Sequence, residues 1–264
     1  MSETPTKEDE LAGTEQPFVQ HLMELRDRLV KAMIAIAIAA AILFFFPGPG
    51  ALYDFLAAPL VAHLPKGATL IATSVISPFM VPLKILLMSA FLLALPFVLW
   101  QVWAFVAPGL YSHEKKLVLP LVISSTLLFF IGVAFCYYLV FGQVFAFIQS
   151  FAPKSITAAP DIEAYLSFVL SMFLAFGLAF EVPIAVVVLA RMGVVSVQKL
   201  REFRGYFIVV AFVIAAVVTP PDVVSQLSLA IPMCILYEVG IWAAQIFIKH
   251  TKAPEEAEES ASAS

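Results

Sequence analysis

Six stretches of the chain read as nearly uninterrupted apolar runs, at residues 29–46, 85–107, 117–148, 164–190, 205–218 and 223–248. About 20 apolar residues in helical form cross the hydrocarbon core of a bilayer. The pattern therefore predicts an all-α membrane protein with six transmembrane helices and both termini on one side. The third run is longer than a perpendicular crossing needs and is expected to tilt or project. The fifth falls short by about six residues, and a short span thins the lipid around it. Pro96, Pro120, Pro183 and Pro232 interrupt the runs. Each removes a backbone hydrogen bond and bends its helix, so a concave bundle is expected. Ahead of the first run, Phe18, Leu22, Leu25 and Leu29 recur at helical spacing, while Glu24, Asp27, Arg28 and Lys31 take the other face. This describes an amphipathic helix at the membrane surface, with Pro17 suited to its first turn. The chain divides into a polar, disordered stretch 1–16, a membrane domain 17–248 and a disordered tail 249–264.

Composition makes lipid the solvent. Hydrophobic side chains form 62% of the 264 residues and charged ones 13%, with a mean hydropathy of +0.98. An average soluble domain is roughly 45–50% apolar and about 25% charged, and a soluble chain this poor in charge would leave its surface uncovered. The net charge of −4 and pI of about 5.6 also argue against nucleic acid as a partner. The distribution of charge says more than its sum. With a cytoplasmic N-terminus, 12 of the 15 basic residues fall on the cytoplasmic side, among them Arg26, Arg28, Lys31, Lys115, Lys116, Arg191 and Arg204. Lys66 and Lys154 fall outside, and Lys84 sits at a span edge where its stem can snorkel. The positive-inside rule then puts both termini in the cytoplasm. The acidic start is unlike a cleavable signal peptide, so no cleavage is expected. Cys136 and Cys234 lie in apolar runs without a CxxC or histidine neighbour, which suggests core packing and implies neither metal nor cofactor.

Against this background a few polar residues stand out. Glu24 has a simple account as an i,i+4 ion pair with Arg28, worth a few tenths of a kcal/mol. Residues 103–116 form a tight Pro108-Gly109 corner with aromatics, then an acid beside two lysines. An aromatic belt with a basic anchor explains Trp103, Tyr111, Lys115 and Lys116 but not Glu114, whose carboxylate suits a guanidinium. Glu181 stands inside an apolar run, where a carboxylate costs about 2.5–3.5 kcal/mol on insertion scales. It is expected to be protonated, paired or facing a cavity, which makes a functional site the default reading and a structural hydrogen bond to a neighbouring helix backbone the alternative. Thr219, Asp222, Ser225 and Gln226 gather at the outer end of the fifth and sixth spans. There Asp222 suits a helix cap and Gln226 a contact to a partner helix in lipid.

Four motifs occur in order: His21-Leu22-Met23-Glu24-Leu25-Arg26-Asp27-Arg28-Leu29; Phe105-Val106-Ala107-Pro108-Gly109-Leu110-Tyr111 followed by Glu114-Lys115-Lys116; Phe180-Glu181-Val182-Pro183; and Thr219-Pro220-Pro221-Asp222 with Gln226. Together they resemble the TatC component of the twin-arginine protein translocase, over residues 18–248. The resemblance implies a non-enzymatic core subunit of that system in the plasma (inner) membrane. Such a subunit is a receptor for twin-arginine signal peptides that works with the single-span proteins TatA and TatB. It exports folded proteins on the proton-motive force and self-associates in a larger complex. By carry-over the signal peptide would meet Glu24, Glu114, Phe105 and Arg26. Glu181, Thr219 and Gln226 would face partner helices, and Pro108, Tyr111 and Asp222 would shape the loops. Two carboxylates match two guanidiniums, while the basic neighbours repel unrelated cationic segments. A second class stays open from the residues alone: a proton-coupled small-molecule transporter with Glu181 as the proton site. No second midspan acid or base and no paired interrupted helices accompany it. A scaffold for other membrane proteins, without affinity for signal peptides, is a third.

Overall fold

Between Pro17 and Pro47 the chain has neither proline nor glycine, and it forms a single helix there. In the computed structural model, which describes residues 7–61, 70–106, 118–151, 160–219 and 222–251, this helix is α1 (Lys7–Phe45). The amphipathic stretch is thus continuous with the first span and not a separate element. Gly48, at φ +90°, adopts the left-handed conformation that closes α1, and its N–H reaches back to the Leu43 carbonyl at 3.1 Å. The short helix α2 (Pro49–Val61) follows.

The next long helix, α3 (Ser77–Val106), starts ahead of the apolar run and contains both Pro82 and Pro96. The third run is one rod: α4 (Val118–Phe135), a single π-helical turn at Cys136–Val140, then α5 (Phe141–Phe151). Pro120 lies in the first turn of α4 and does not interrupt it, because a first-turn N–H has no partner within the helix. The fourth run does break. Helix α6 (Ile162–Phe180) ends at Glu181, and α7 (Val182–Arg191) restarts with Pro183 in its opening turn. A short α8 (Val197–Glu202), capped by the Ser196 hydroxyl on Lys199 N, leads to α9 (Arg204–Val218) and to α10 (Val223–Thr251), which carries Pro232.

Among the described residues, five segments are long and apolar enough to cross a membrane: Gln20–Phe45, Ser77–Val106, Val118–Ile148, Ile162–Arg191 and Val223–Ile246. Helix α9 is apolar but has only 15 residues, a rise of about 22 Å against a hydrocarbon core of about 30 Å.

The core is centred on α6, whose Leu166, Val169, Met172, Phe173 and Phe176 are sealed against α3, the α4–α5 rod and α10. The α4–α6 crossing is close because glycines meet aromatics. A Cβ at Gly132 would stand 2.5 Å from the Phe176 carbonyl oxygen, and one at Gly177 would enter the Phe129 ring. Helix α1 is held differently, by alanines: Ala39 packs with Ala90 and Ala94 of α3. Small residues let two backbones approach and gain dispersion where lipid supplies no hydrophobic drive. Leu29, Met33, Ile34, Ile38 and Ile42 of α1 are exposed to what is lipid in a bilayer.

Candidate functional site

Three polar groupings occupy different depths of the bundle. At the α1 end, Arg28 donates through Nε and Nη2 to Glu24 Oε1, at 2.9 and 2.5 Å. The pair lines a cavity shared with Gln20, Met23, Asp27 and Lys31. Arg26 points away and pairs with its exposed neighbour Asp27 at 2.8 Å. The His21 ring stacks on Phe105 with centroids 4.2 Å apart, tying this face of α1 to the last turn of α3.

Deeper, Trp103 of α3 donates its indole N–H to the Ser125 hydroxyl of α4 at 2.9 Å, and Ser125 is wholly buried. Ser125 also engages the carboxyl of Glu181. Glu181 sits where α6 gives way to α7, and its Oε1 is buried with no hydrogen-bond partner among the described residues. A buried acceptor in that condition is satisfied by a proton or by a donor arriving from outside.

At the far end of the bundle, Thr219 is extended (φ −93°, ψ 158°), as a residue preceding proline must be. Its hydroxyl donates to the Ala215 carbonyl at 2.7 Å. Asp222 Oδ1 accepts from Ser225 N at 2.7 Å and so caps α10. Asp222 Oδ2 and Ser225 Oγ are buried without a partner among the described residues, one turn from the half-buried Gln226.

The family described as Sec-independent protein translocase protein (TatC) matches residues 20–232. A Sec-independent protein translocase protein TatC of Halothiobacillus neapolitanus is 51% identical over 93% of this chain and 68% of its own length. Its counterpart in Escherichia coli K12 is 46% identical over 91% of this chain and 93% of its own length. A crystal structure of a twin-arginine translocase receptor, TatC, superposes with a TM-score of 0.74 at 40% identity, over 86% of this chain and 98% of that one.

The chain belongs to the TatC family. It is therefore a core component of the twin-arginine system and a multi-pass protein of the plasma membrane, not an enzyme. The small-molecule transporter reading falls away, because TatC relatives align across nearly the whole chain.

Within this TatC family chain, Glu24 and Phe105 lie at one end, joined through His21, and Arg26 shares that end with its charge turned to Asp27. Thr219, Asp222 and Gln226 lie at the other, with Glu181 between. Pro108, Tyr111 and Glu114 fall outside the described residues.

The sequence did not disclose a fourth polar cluster. Ile71 and Asp161 form a parallel bridge between two loops. Asp161 Oδ1 caps α6 through Glu163 N and Ala164 N, while Oδ2 accepts from the Thr73 hydroxyl at 2.6 Å and from Thr73 N at 3.1 Å. These bonds, the Thr73 hydroxyl above all, hold the Asp161 carboxyl down at about 2. Beside it, Glu163 accepts from Ser77 Oγ at 2.8 Å and from Lys84 Nζ at 2.7 Å. Lys84 therefore pairs with a neighbouring helix and does not merely reach for the interface. An acid just ahead of an apolar helix was a legible cap signal at Asp161. The long-range partners left no trace in the sequence. The same holds for Ser125, an unremarkable serine in an apolar run until Trp103 and Glu181 close on it.

Proposed function

We propose that the chain is the signal-peptide receptor of the translocase, binding twin-arginine signals at the cytoplasmic face and, with TatA and TatB, moving folded proteins outward on the proton-motive force. The observation that carries this reading is that Glu24 already holds a guanidinium at the rim of a cavity. A signal-peptide arginine takes over the carboxylate that Arg28 occupies when no peptide is present, and charge-assisted bonds of this kind are the strong ones. Glu114 receives the second arginine, and Arg26 keeps other cationic segments away. Both termini are cytoplasmic, since that arrangement puts 12 of the 15 basic residues inside.

The last turn of α3 links this surface to the buried carboxyl, since Phe105 stacks on His21 and Trp103, two residues earlier, bonds Ser125. Peptide seated against Phe105 thereby acts on the environment of Glu181, whose unsatisfied oxygen receives a donor from a partner helix. Thr219 and Gln226 offer TatA and TatB a second polar contact, and copies of the chain self-associate around them.

The test is fluorescence anisotropy of a labelled twin-arginine signal peptide with the full chain in nanodiscs. Replacing both Glu24 and Glu114 with Ala lowers affinity more than tenfold, since each charged hydrogen bond contributes about 1.5–3 kcal/mol. Changing both peptide arginines to lysine has a similar effect, because an ammonium lacks the guanidinium fork. Undiminished binding in either experiment refutes the receptor assignment.

A further inference from the structure

The break at Glu181 has a consequence farther along the fourth run. Helix α4 packs closely along α6, but beyond the break α7 leaves α4 and lies along α10. The space so opened is an apolar groove lined by Leu128 of α4, Val187 of α7 and Val239 of α10, with Pro120, Arg191 and Ala243 at its rim. The cavity is about 300 Å³. Its rim coincides with the ends of three spans, which begin at Val118 and close at Arg191 and Ile246. From Pro120 to Leu128 the groove runs about 12 Å into the hydrocarbon, at 1.5 Å per helical residue.

We propose that this groove is a binding site for an anionic phospholipid, with one acyl chain against Leu128, Val187 and Val239 and the phosphate on the Arg191 guanidinium. An apolar slot of this depth, open at headgroup level and with no acid among the described residues that line it, suits a lipid tail better than an extended peptide, whose backbone polar groups would go unpaired in it, and its 300 Å³ is less than a helix about 10 Å across would fill over that depth. Arg191 supplies the charge complement at the height where the phosphate lies. Its five N–H donors allow it to hold a phosphate together with a contact to the protein. Basic positions between transmembrane helices at headgroup level are where anionic lipids are recognised. The site is separate from the Trp103–Ser125–Glu181 contact, and it exists only because the fourth run is broken and not straight.

The experiment uses the full chain in phosphatidylcholine nanodiscs containing a trace of phosphatidylglycerol with a photoreactive diazirine on one acyl chain, followed by mass-spectrometric mapping of the crosslinks. Labelling is expected in the peptides carrying Leu128 and Val187. It falls about fivefold in Arg191→Gln, the factor expected for one basic side chain near an anionic surface, and less in Arg191→Lys. Val187→Trp, which fills the groove, abolishes it, and the same probe with a phosphocholine head labels these peptides about fivefold more weakly. Unchanged labelling in Arg191→Gln, or equal labelling by the two headgroups, overturns the proposal in favour of ordinary annular lipid. Displacement by soluble glycerol 3-phosphate overturns it in favour of a simple anion site.

Discussion

Gly177→Ala is the substitution through which the packing of this bundle can be read most directly. The added Cβ would stand 2.6 Å from both Cε atoms of Phe129, which is itself only 2% exposed and has no space to rotate into. Carbon atoms in contact prefer about 3.5–4.0 Å, so the ring or the helix must retreat by about 1 Å, and overpacking of this kind costs about 1–3 kcal/mol. Helices α4 and α6 cross antiparallel here. Ser125 lies one turn before Phe129, and Glu181 one turn after Gly177, so the contact between them is one layer away on the same two helices. A separation of about 1 Å loosens it, and Trp103, which bonds Ser125 at 2.9 Å, reports the change. The assay is unfolding in mixed dodecyl maltoside and SDS micelles followed by tryptophan fluorescence, for Gly177→Ala, Phe129→Leu and the double variant. Phe129→Leu alone leaves a gap and destabilises. It also removes the ring edge that the new methyl meets, so the double variant is less destabilised than the sum of the two by about 1 kcal/mol or more. Strict additivity, or a Gly177→Ala chain as stable as the parent, refutes the close approach of α4 and α6.

Two further outcomes follow from the polar contacts. Ser125→Ala strands the Trp103 N–H and deprives Glu181 of its hydroxyl partner, and should destabilise by about 1–2 kcal/mol in the same micelle titration, whereas loss of an inconsequential hydroxyl would leave the midpoint unmoved. The loop tie at Asp161 has its carboxyl held at about 2 against an ordinary 3.8, so its contribution is complete above about pH 4 and is lost as pH falls toward 2. Protection of the Thr73 amide against hydrogen exchange, corrected for intrinsic rate, should therefore be constant from pH 7 to 5. It should be lost in Asp161→Asn at all pH values, and a loss near neutral pH in the parent chain would count against the tie.

The chain by itself determined the solvent, the class of fold and the location of its anomalies. Apolar runs of bilayer length, the crowding of basic residues on alternate loops and a carboxylate in the middle of a run are local properties, and lipid imposes them directly on the order of residues. The shortness of α9 was legible for the same reason, since it depends only on counting to Val218. The i,i+4 pair of Glu24 and Arg28 was legible because helical spacing alone brings its members together. What only the tertiary structure decided is which distant residues meet. Asp161 and Thr73 are 88 positions apart, and Lys84 and Glu163 are 79 apart. Trp103, Ser125 and Glu181 come from three different spans, and nothing in an apolar helix marks which of its faces turns toward which neighbour. Proline was likewise ambiguous in sequence. Pro120 is harmless at a helix start, Pro96 and Pro232 are accommodated within long helices, and only Pro183 accompanies a break, because there the chain parts from α4 and finds α10 instead. That choice rests on side-chain packing between helices, a property of pairs of surfaces that no single stretch of sequence contains.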